Sequence, residues 1–363
     1  MRLLIVEDDK YQVQMYHDVI ESFNGQQGCA ITPITKKDLT EAKLALLNPE
    51  FDAAVIDLKL DNGSDELQGI ELIKSIQDKL RFPVFVVSGS IAQIDDIEES
   101  TFFKKRLRDG DFKTVLSEAY GIFQTGITHI LGSKGIIENH LNAIFWNHLS
   151  NSMNVWINDE NRSPEQKQKT LLRYTLLHIQ EYLELTEESD FENYHSAEIY
   201  ITPPIKKRVF TGDIVVNKKN GLSYIVLTPS CDLAQSKAKD ILIALIENED
   251  SGIILEKTNI IKKGNSDEKI LSDATNNLKA LINNSFSNKY HFLPSYKEIK
   301  AGLINFQKIN SIRVKEFNDD FTIIASVNSS FTKDIVARFS YYYSRQGSPD
   351  FDVEEIYKSI TSN

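Results

Sequence analysis

The chain has 363 residues, long enough for two or three domains each with its own core, and its 41% hydrophobic and 26% charged content is that of a soluble globular protein. A formal net charge of −11 argues against wholesale nucleic-acid binding, which needs a basic face. Residues 1–110 hold 13 Lys and Arg against 20 Asp and Glu, a balance of −7 that leaves −4 for the remainder, so neither part is basic.

Cys29 and Cys231 stand too far apart in the sequence to form a disulfide framework. The opening MRLLIVEDD is too short an apolar run for a signal peptide and ends in acids, and no apolar stretch reaches membrane-span length. The expected location is the cytoplasm.

The first 108 residues or so alternate between strand and helix patterns. RLLIVE reads as a short apolar strand, and YQVQMYHDVIESF sets Val13, Tyr16, Ile20 and Phe23 near helical spacing. CAITPIT is a second strand, KDLTEAKLALLN a helix and DAAVID a third strand. LQGIELIKSIQDKL follows, with Ile70, Ile73 and Ile76 on one helix face. FPVFVVSGS is a fourth strand and STFFKK a short fifth. Such alternation predicts a parallel sheet with helices on both sides, and sites in these sheets form outside the carboxyl ends of the strands.

Residues 109–190 read as three helices: FKTVLSEAYGIFQTGITHIL, GIIENHLNAIFWNHLSNSMNVWI and SPEQKQKTLLRYTLLHIQEYLEL. Ser163-Pro164 starts the last as N-cap and first-turn proline. Phe145, Trp146 and Trp156 are expected in a helical core. His140 and His148 lie on roughly one face, and packing is favoured over a phosphorylated histidine. From about residue 198 strands return in EIYITPP, GDIVVNKKNGLSYIVLTPS and KDILIALIE, with NKKNG as a hairpin connection. A polar loop near IIKKGNSDEK, a helix at SDATNNLKALINN, the strand FTIIASV and the helix TKDIVARFSYYYSRQ complete the chain. The predicted fold class is α/β in the first part, then a helical region, then an α+β module with a small antiparallel barrel. The domain boundaries are expected at 1–110, 111–195 and 196–363.

Ala53, Ala54, Val55 and Ile56 form a continuous apolar run that ends in Asp57. A carboxylate there is costly to bury alone, so it needs a partner, a cation or a chemical role. The first strand likewise ends in Glu7, Asp8 and Asp9. Carboxylates converging at neighbouring strand ends raise one another's pKa values unless a cation neutralises them, and hard oxygen ligands suit Mg²⁺. Ser88 adds a hydroxyl at the fourth strand's end, and Lys104 and Lys105 add cations on the fifth. These parts describe an acyl-phosphate site with Asp57 as nucleophile.

LLIVEDD, AVIDLKLDNG, QGIELI, PVFVVSGS and FFKK together resemble the CheY-like receiver domain of two-component response regulators, over residues 1 to about 130. The resemblance implies phosphorylation of Asp57 by a histidine kinase. It implies Mg²⁺ held by Glu7 and Asp8, with Asp8 the direct ligand, by Asp57 and by the carbonyl of Lys59. Ser88 would be the switch hydroxyl. Lys104 is preferred over Lys105 as the site cation. The sequence departs from the family in lacking a proline after the lysines and in its short Ser88–Lys104 spacing. That spacing shortens or removes the helix between the last two strands.

No DNA-binding helix is evident after residue 130, and its basic clusters are small. GDIVVNKKNGLSYIVLTPSCDLAQ and the later INFQKINSIRVKEFNDDFTIIASVNSSFTKDIVARFSYY weakly resemble the SH3-like barrels of PemK/MazF-type toxins over 198–345. That resemblance implies a ribonuclease in which Thr228, Ser230 and Asp232 form a polar cluster. Lys218 and Lys219 would have to replace the arginine those toxins use, and a hydroxyl-rich turn is the favoured reading. Tyr341–Tyr343 with Arg338 and Arg345 are expected to pack a terminal helix rather than stack on bases. The favoured expectation is a phosphorelay protein whose C-terminal module relays or buffers the signal to a protein partner, with an antiphage-defence layout as one context. The alternative is a phosphorylation-gated ribonuclease.

Overall fold

The computed structural model describes residues 1–46, 50–58, 60, 67–89, 94, 97–108, 110–184, 193–264, 267–345 and 350–362. The chain divides into two compact units, Met1–Ser189 and Asp190–Asn363.

The first unit is built on β1 (Arg2–Val6), α1 (Lys10–Gln27), β2 (Thr32–Lys36), α2 (Leu39–Leu46), β3 (Ala53–Ile56), α3 (Leu67–Lys79), β4 (Val84–Ser88), β5 (Phe103–Leu107) and α4 (Phe112–Gln124). All four strand pairings are parallel, in the order β2-β1-β3-β4-β5. This is a doubly wound order whose switch point lies between β1 and β3.

Side chains alternate across each strand, so both faces of the sheet must be covered. Leu4, Val6, Ala54, Ile56, Val84 and Val86 pack against Leu72, Ile73 and Ile76 of α3 and Ala42 of α2. Leu3, Ile5, Ala53, Val55, Phe85 and Val87 pack on the other face, against Tyr16, Ile20 and Phe23 of α1 and Phe112, Val115, Leu116 and Ala119 of α4. Between β4 and β5 no described residue belongs to an α-helix.

The helical stretch after α4 differs in detail from the sequence expectation. Its first helix is broken: Gly126 takes a left-handed φ of 75° and separates α4 from α5 (Ile127–Leu131). The second runs as α6 (Ile136–Ala143), a π-helical turn at Ile144–Leu149 and α7 (Ser150–Ile157). The third, α8 (Pro164–Glu184), begins as expected. Ser163 Oγ accepts the Gln166 N–H at 3.3 Å while Gln166 Oε1 accepts the Ser163 N–H at 3.0 Å, a reciprocal cap.

Phe145 and Trp146 do not enter a core; they are 51% and 67% exposed. Residues turned toward α8 fill the contact instead, with Ile144 buried and Trp156 edge-on to Tyr174. His140 stacks on Tyr182, and His148 shares a 3.0 Å hydrogen bond with the Tyr182 hydroxyl, so both histidines are packing residues.

The second unit contains α9 (Ser196–Ile199), β6 (Tyr200–Ile201), β7 (Asp213–Asn217), β8 (Ser223–Val226), α10 (Ser230–Ala234) and β9 (Asp240–Asn248). It continues with α11 (Gly252–Lys263), α12 (Glu268–Ile282), β10 (Tyr290–Leu293), β11 (Gly302–Arg313), α13 (Val314–Asp320), β12 (Phe321–Val327), α14 (Ser329–Ser344) and α15 (Val353–Thr361). Its seven strands form one antiparallel sheet, ordered β10-β11-β9-β8-β7-β12-β6. Bulges interrupt the pairing of β11 between Asn305 and Ile309 and that of β12 between Ile323 and Ala325, and such bulges bend and twist a strand.

The β7–β8 hairpin closes through NKKNG as expected, with Gly221 at φ 70°. IIKK, expected in a loop, instead ends helix α11. Two apolar clusters flank the sheet, one around Ile225, Ile304 and Phe306 and one around Val226, Ile243 and Phe317.

Candidate functional site

Parallel pairing brings the carboxyl ends of β1 and β3 side by side, Val6 beside Ile56, so Glu7 and Asp57 leave the sheet together. The Asp57 N–H donates to the Val6 carbonyl at 2.9 Å and the Glu7 N–H to the Lys36 carbonyl at 3.0 Å, which fixes both residues in the sheet's frame. Their side chains are almost wholly enclosed, Glu7 at 1% and Asp57 at 2% exposure. Asp9, the third acid of the run, serves the helix instead, where its carboxylate caps α1 by accepting the Tyr11 N–H at 2.9 Å.

Glu7, Asp8 and Asp57 each offer one carboxylate oxygen, and these oxygens lie within 4.8 Å of one another. Burial, with the Asp57 charge beside it, pushes the Glu7 carboxyl up to about 7, against the Asp9 N–H bond and the nearby Arg108. The set is one of hard oxygen donors, the chemistry that suits Mg²⁺. Lys59, the expected source of a carbonyl ligand, lies outside the described residues.

The cation at this site is Arg108. Its Nη2 lies 3.0 Å from Glu7 Oε2 and also pairs with Asp57 Oδ2. Burial works against its charge, but the Asp57 and Glu7 carboxylates outweigh that and hold the guanidinium above its ordinary range.

This corrects the expectation for Lys104 and Lys105. The register sets Lys104 beside Phe85 and Lys105 beside Val86, in the middle of the β4–β5 pairing, and Ser88 at the end of β4 lies beside Leu107. The first residue past the end of β5 is therefore Arg108. It stands 20 positions after Ser88, which also resolves the short spacing noted from sequence. A signal was available in KKRLRDG: three basic residues precede Arg108, and the strand needed to run to Leu107 for the last to reach the edge.

Ser88 is fully buried, and among the described residues its Oγ has no hydrogen-bond partner. Leaving a buried hydroxyl unpaired costs about 1–3 kcal/mol, so this one invites an acceptor from outside the protein. The strand ends thus gather three carboxylates, one guanidinium and one uncommitted hydroxyl.

The C-terminal residues singled out by sequence are held in structural bonds. Thr228 Oγ1 accepts the Leu242 N–H at 2.6 Å, the Thr211 hydroxyl donates to the Thr228 carbonyl, and Ser230 Oγ donates to Thr211 Oγ1 at 2.9 Å. Asp232, on the short helix α10, is reached by Cys231 Sγ at 3.6 Å. Thr228 and Ser230 are thus joined through Thr211, and no described hydrogen bond joins Asp232 to either. Lys218 Nζ donates to the Asp319 carbonyl at 2.8 Å and Lys219 Nζ pairs with Asp320 at 2.7 Å, so both brace the end of α13.

Tyr343 donates to the Phe306 carbonyl at 3.0 Å and Arg338 pairs with Asp334 at 2.8 Å, which supports packing of α14. Sequence reading passed over Asp213, whose buried carboxylate accepts from Ser326 Oγ at 2.6 Å and from the Phe210 N–H at 2.7 Å. Burial pushes its pKa up against both bonds.

The sequence matches no protein-family model and no curated protein. Among solved structures, about a third of the chain is similar to receiver domains. One is the N-terminal domain of a three-domain response regulator/sensory box/GGDEF protein from Carboxydothermus hydrogenoformans, at 15% identity over 34% of this chain and 95% of that one, TM-score 0.27. Another is a CheY-like receiver domain from Methylobacillus flagellatus, at 20% identity over 34% and 98%, TM-score 0.27. A third is the receiver domain of the Erythrobacter litoralis PhyR response regulator, at 22% identity over 33% and 89%, TM-score 0.27. Among the described residues no helix is long and apolar enough to cross a membrane.

Proposed function

We propose that the N-terminal unit accepts a phosphoryl group on Asp57 from a phosphohistidine of a histidine kinase. An Asp57 carboxylate oxygen attacks phosphorus, the P–N bond breaks, the kinase histidine leaves with the bond's electron pair, and an aspartyl phosphate remains. The observation that carries this reading is the meeting of Glu7, Asp8 and Asp57 with the unpaired Ser88 hydroxyl and the Arg108 guanidinium at the ends of four strands.

Glu7, Asp8 and Asp57 would hold the Mg²⁺, which supplies charge neutralisation between carboxylate and phosphoryl oxygens. Ser88 Oγ donates to a phosphoryl oxygen and so gains the acceptor it lacks. Arg108, released from Asp57 as that carboxylate becomes an acyl phosphate, pairs with the phosphoryl oxygens, for which its planar fork of donors is suited. These movements bias the outer face of the unit between two arrangements. The remaining helices and the C-terminal unit then relay or buffer the signal to a protein partner. The Thr228 and Ser230 bonds to the protein's own backbone and to Thr211 support that role over a ribonuclease.

The test is intact mass after incubation with Mg²⁺ and acetyl phosphate, beside Asp57→Asn, followed by the same assay with a phosphorylated histidine kinase. A gain of one phosphoryl group that requires Mg²⁺ and is lost in the variant is expected. No gain from either donor would refute the reading.

A further inference from the structure

Tyr16 fills the core as its spacing on α1 predicts, but its hydroxyl does something that packing does not use. The ring stacks on Phe112 with centroids 4.1 Å apart, and the residue is 1% exposed. Among the described residues the hydroxyl has no hydrogen-bond partner. Burial pushes the phenol up to about 12, so it stays neutral. The Gln12 amide lies beside it without closing a hydrogen bond, and Glu7, Asp57 and Arg108 are near enough for their charges to act on it.

Tyr16 and Arg108 line one cavity of about 160 Å³, where β5 ends and α4 begins. The other charged and hydroxyl side chains around it are committed. Arg106 Nη2 donates to Glu118 at 3.0 Å, and Asp111 caps α4, accepting the Lys113 N–H at 3.0 Å and the Thr114 hydroxyl at 3.2 Å. What remains is a complementary pair. The Arg108 Nε–H is a buried donor with no partner among the described residues, and Tyr16 Oη can accept it. Leaving both buried and unpaired is costly.

The carboxylates explain why they stand apart. Arg108 Nη2 is drawn to Glu7 and Asp57, whose oxygens belong to the set suited to Mg²⁺. A second cation there repels the guanidinium, and a side chain that is 32% exposed has room to shift.

We propose that Tyr16 is a positioning residue for Arg108. When Mg²⁺ or a phosphoryl group takes the Glu7 and Asp57 oxygens, the guanidinium shifts and donates its Nε–H to Tyr16 Oη. That bond leaves both Nη groups for phosphoryl oxygens, a use that rests on the phosphoacceptor reading.

The test compares the full chain with Tyr16→Phe, which keeps the ring on Phe112 and removes only the hydroxyl. Mg²⁺ affinity is read by isothermal titration calorimetry, with circular dichroism confirming that each variant is folded. Tyr16→Phe should weaken Mg²⁺ binding by about tenfold, because the guanidinium then has no acceptor to leave for. In an Arg108→Ala background the same change should move the affinity by less than about twofold, whereas a merely structural Tyr16 would act in both. Arg108→Gln serves as the background should Arg108→Ala fail to fold. In protein labelled with ¹⁵N-arginine, Mg²⁺ should slow solvent exchange of the Arg108 Nε–H in the wild type and not in Tyr16→Phe. Equal Mg²⁺ affinity in wild type and Tyr16→Phe, an equal loss in both backgrounds, or a wild type that binds no Mg²⁺ would overturn the proposal. Phosphoryl gain is read separately. A Tyr16 effect on Mg²⁺ that needs Arg108, in a chain that gains no phosphoryl group from either donor, supports the placing of Arg108 by Tyr16 and refutes the phosphoacceptor reading alone.

Discussion

Arg108 is the residue whose loss should change the N-terminal unit most informatively. It bridges Glu7 and Asp57, both almost fully buried, so Arg108→Ala strands two carboxylates in a site that water scarcely reaches. Removing one partner from a buried ion pair costs about 3–5 kcal/mol. The Arg108 side chain is itself 32% exposed, which sets the expectation at the lower end, about 3 kcal/mol. Glu7 limits the loss further because its pKa already stands at about 7, so a proton can replace the missing cation.

The sign follows from that value. A carboxyl raised in the folded state from 4.5 to about 7 contributes stability below pH 4.5 and loses it as the pH rises through 7. Deleting Arg108 raises the folded value further, so the penalty of the variant is larger at pH 8 than at pH 6. With a urea dependence of about 1.5 kcal/mol per molar, a loss of 3 kcal/mol lowers the midpoint by about 2 M. The assay is a urea titration at pH 8 in EDTA, read by hydrogen exchange in peptides spanning β1, β3 and β4. Millimolar Mg²⁺ should return most of the lost stability by taking over the role of the cation. A midpoint within about 0.5 M of wild type in EDTA, or a loss that Mg²⁺ does not reduce, would refute the reasoning.

Two further expectations follow. Ser88→Ala removes a buried hydroxyl that has no partner among the described residues, so stability should hold or rise by about 1 kcal/mol while phosphoryl gain from acetyl phosphate slows. A destabilised Ser88→Ala with unchanged phosphorylation would assign the hydroxyl to structure instead. In the second unit, burial holds the pKa of His291 below its ordinary 6.5 against the pull of the Asp334 carboxylate 3.0 Å away. Its contribution to stability is therefore present above about pH 6.5 and is lost as the pH falls toward the folded value, because the unfolded chain takes the proton first. His291→Gln should flatten the acid limb of that unit's stability profile in thermal melts, and an unchanged limb would exclude His291 as its cause.

The elements and most of the site are legible from local pattern alone. Apolar runs such as LLIV, AAVI and VFVV can only be strands covered on both faces, and acids or hydroxyls immediately after them stand at the sheet's edge. Helix patterns are equally legible because periodicity is local: Tyr16, Ile20 and Phe23 are buried on α1 as their spacing requires.

Register and facing, by contrast, come from long-range pairing. Whether β5 ends at Lys105 or at Leu107 depends on its pairing with β4; KKRLRDG offers several basic candidates but does not choose among them, because a strand at the sheet's edge tolerates charged residues along its length. The site cation moved from Lys104 to Arg108 for that reason alone. Phe145 and Trp146 carry the composition of a core, but the direction of a side chain from a helix is set by the neighbour it meets, and α8 meets the other face. Asp213 illustrates the reverse case, since an acid opening the strand DIVVN looks solvated until Ser326, 113 residues away, closes over it. Local chemistry names which residues are available, and the tertiary fold chooses among them.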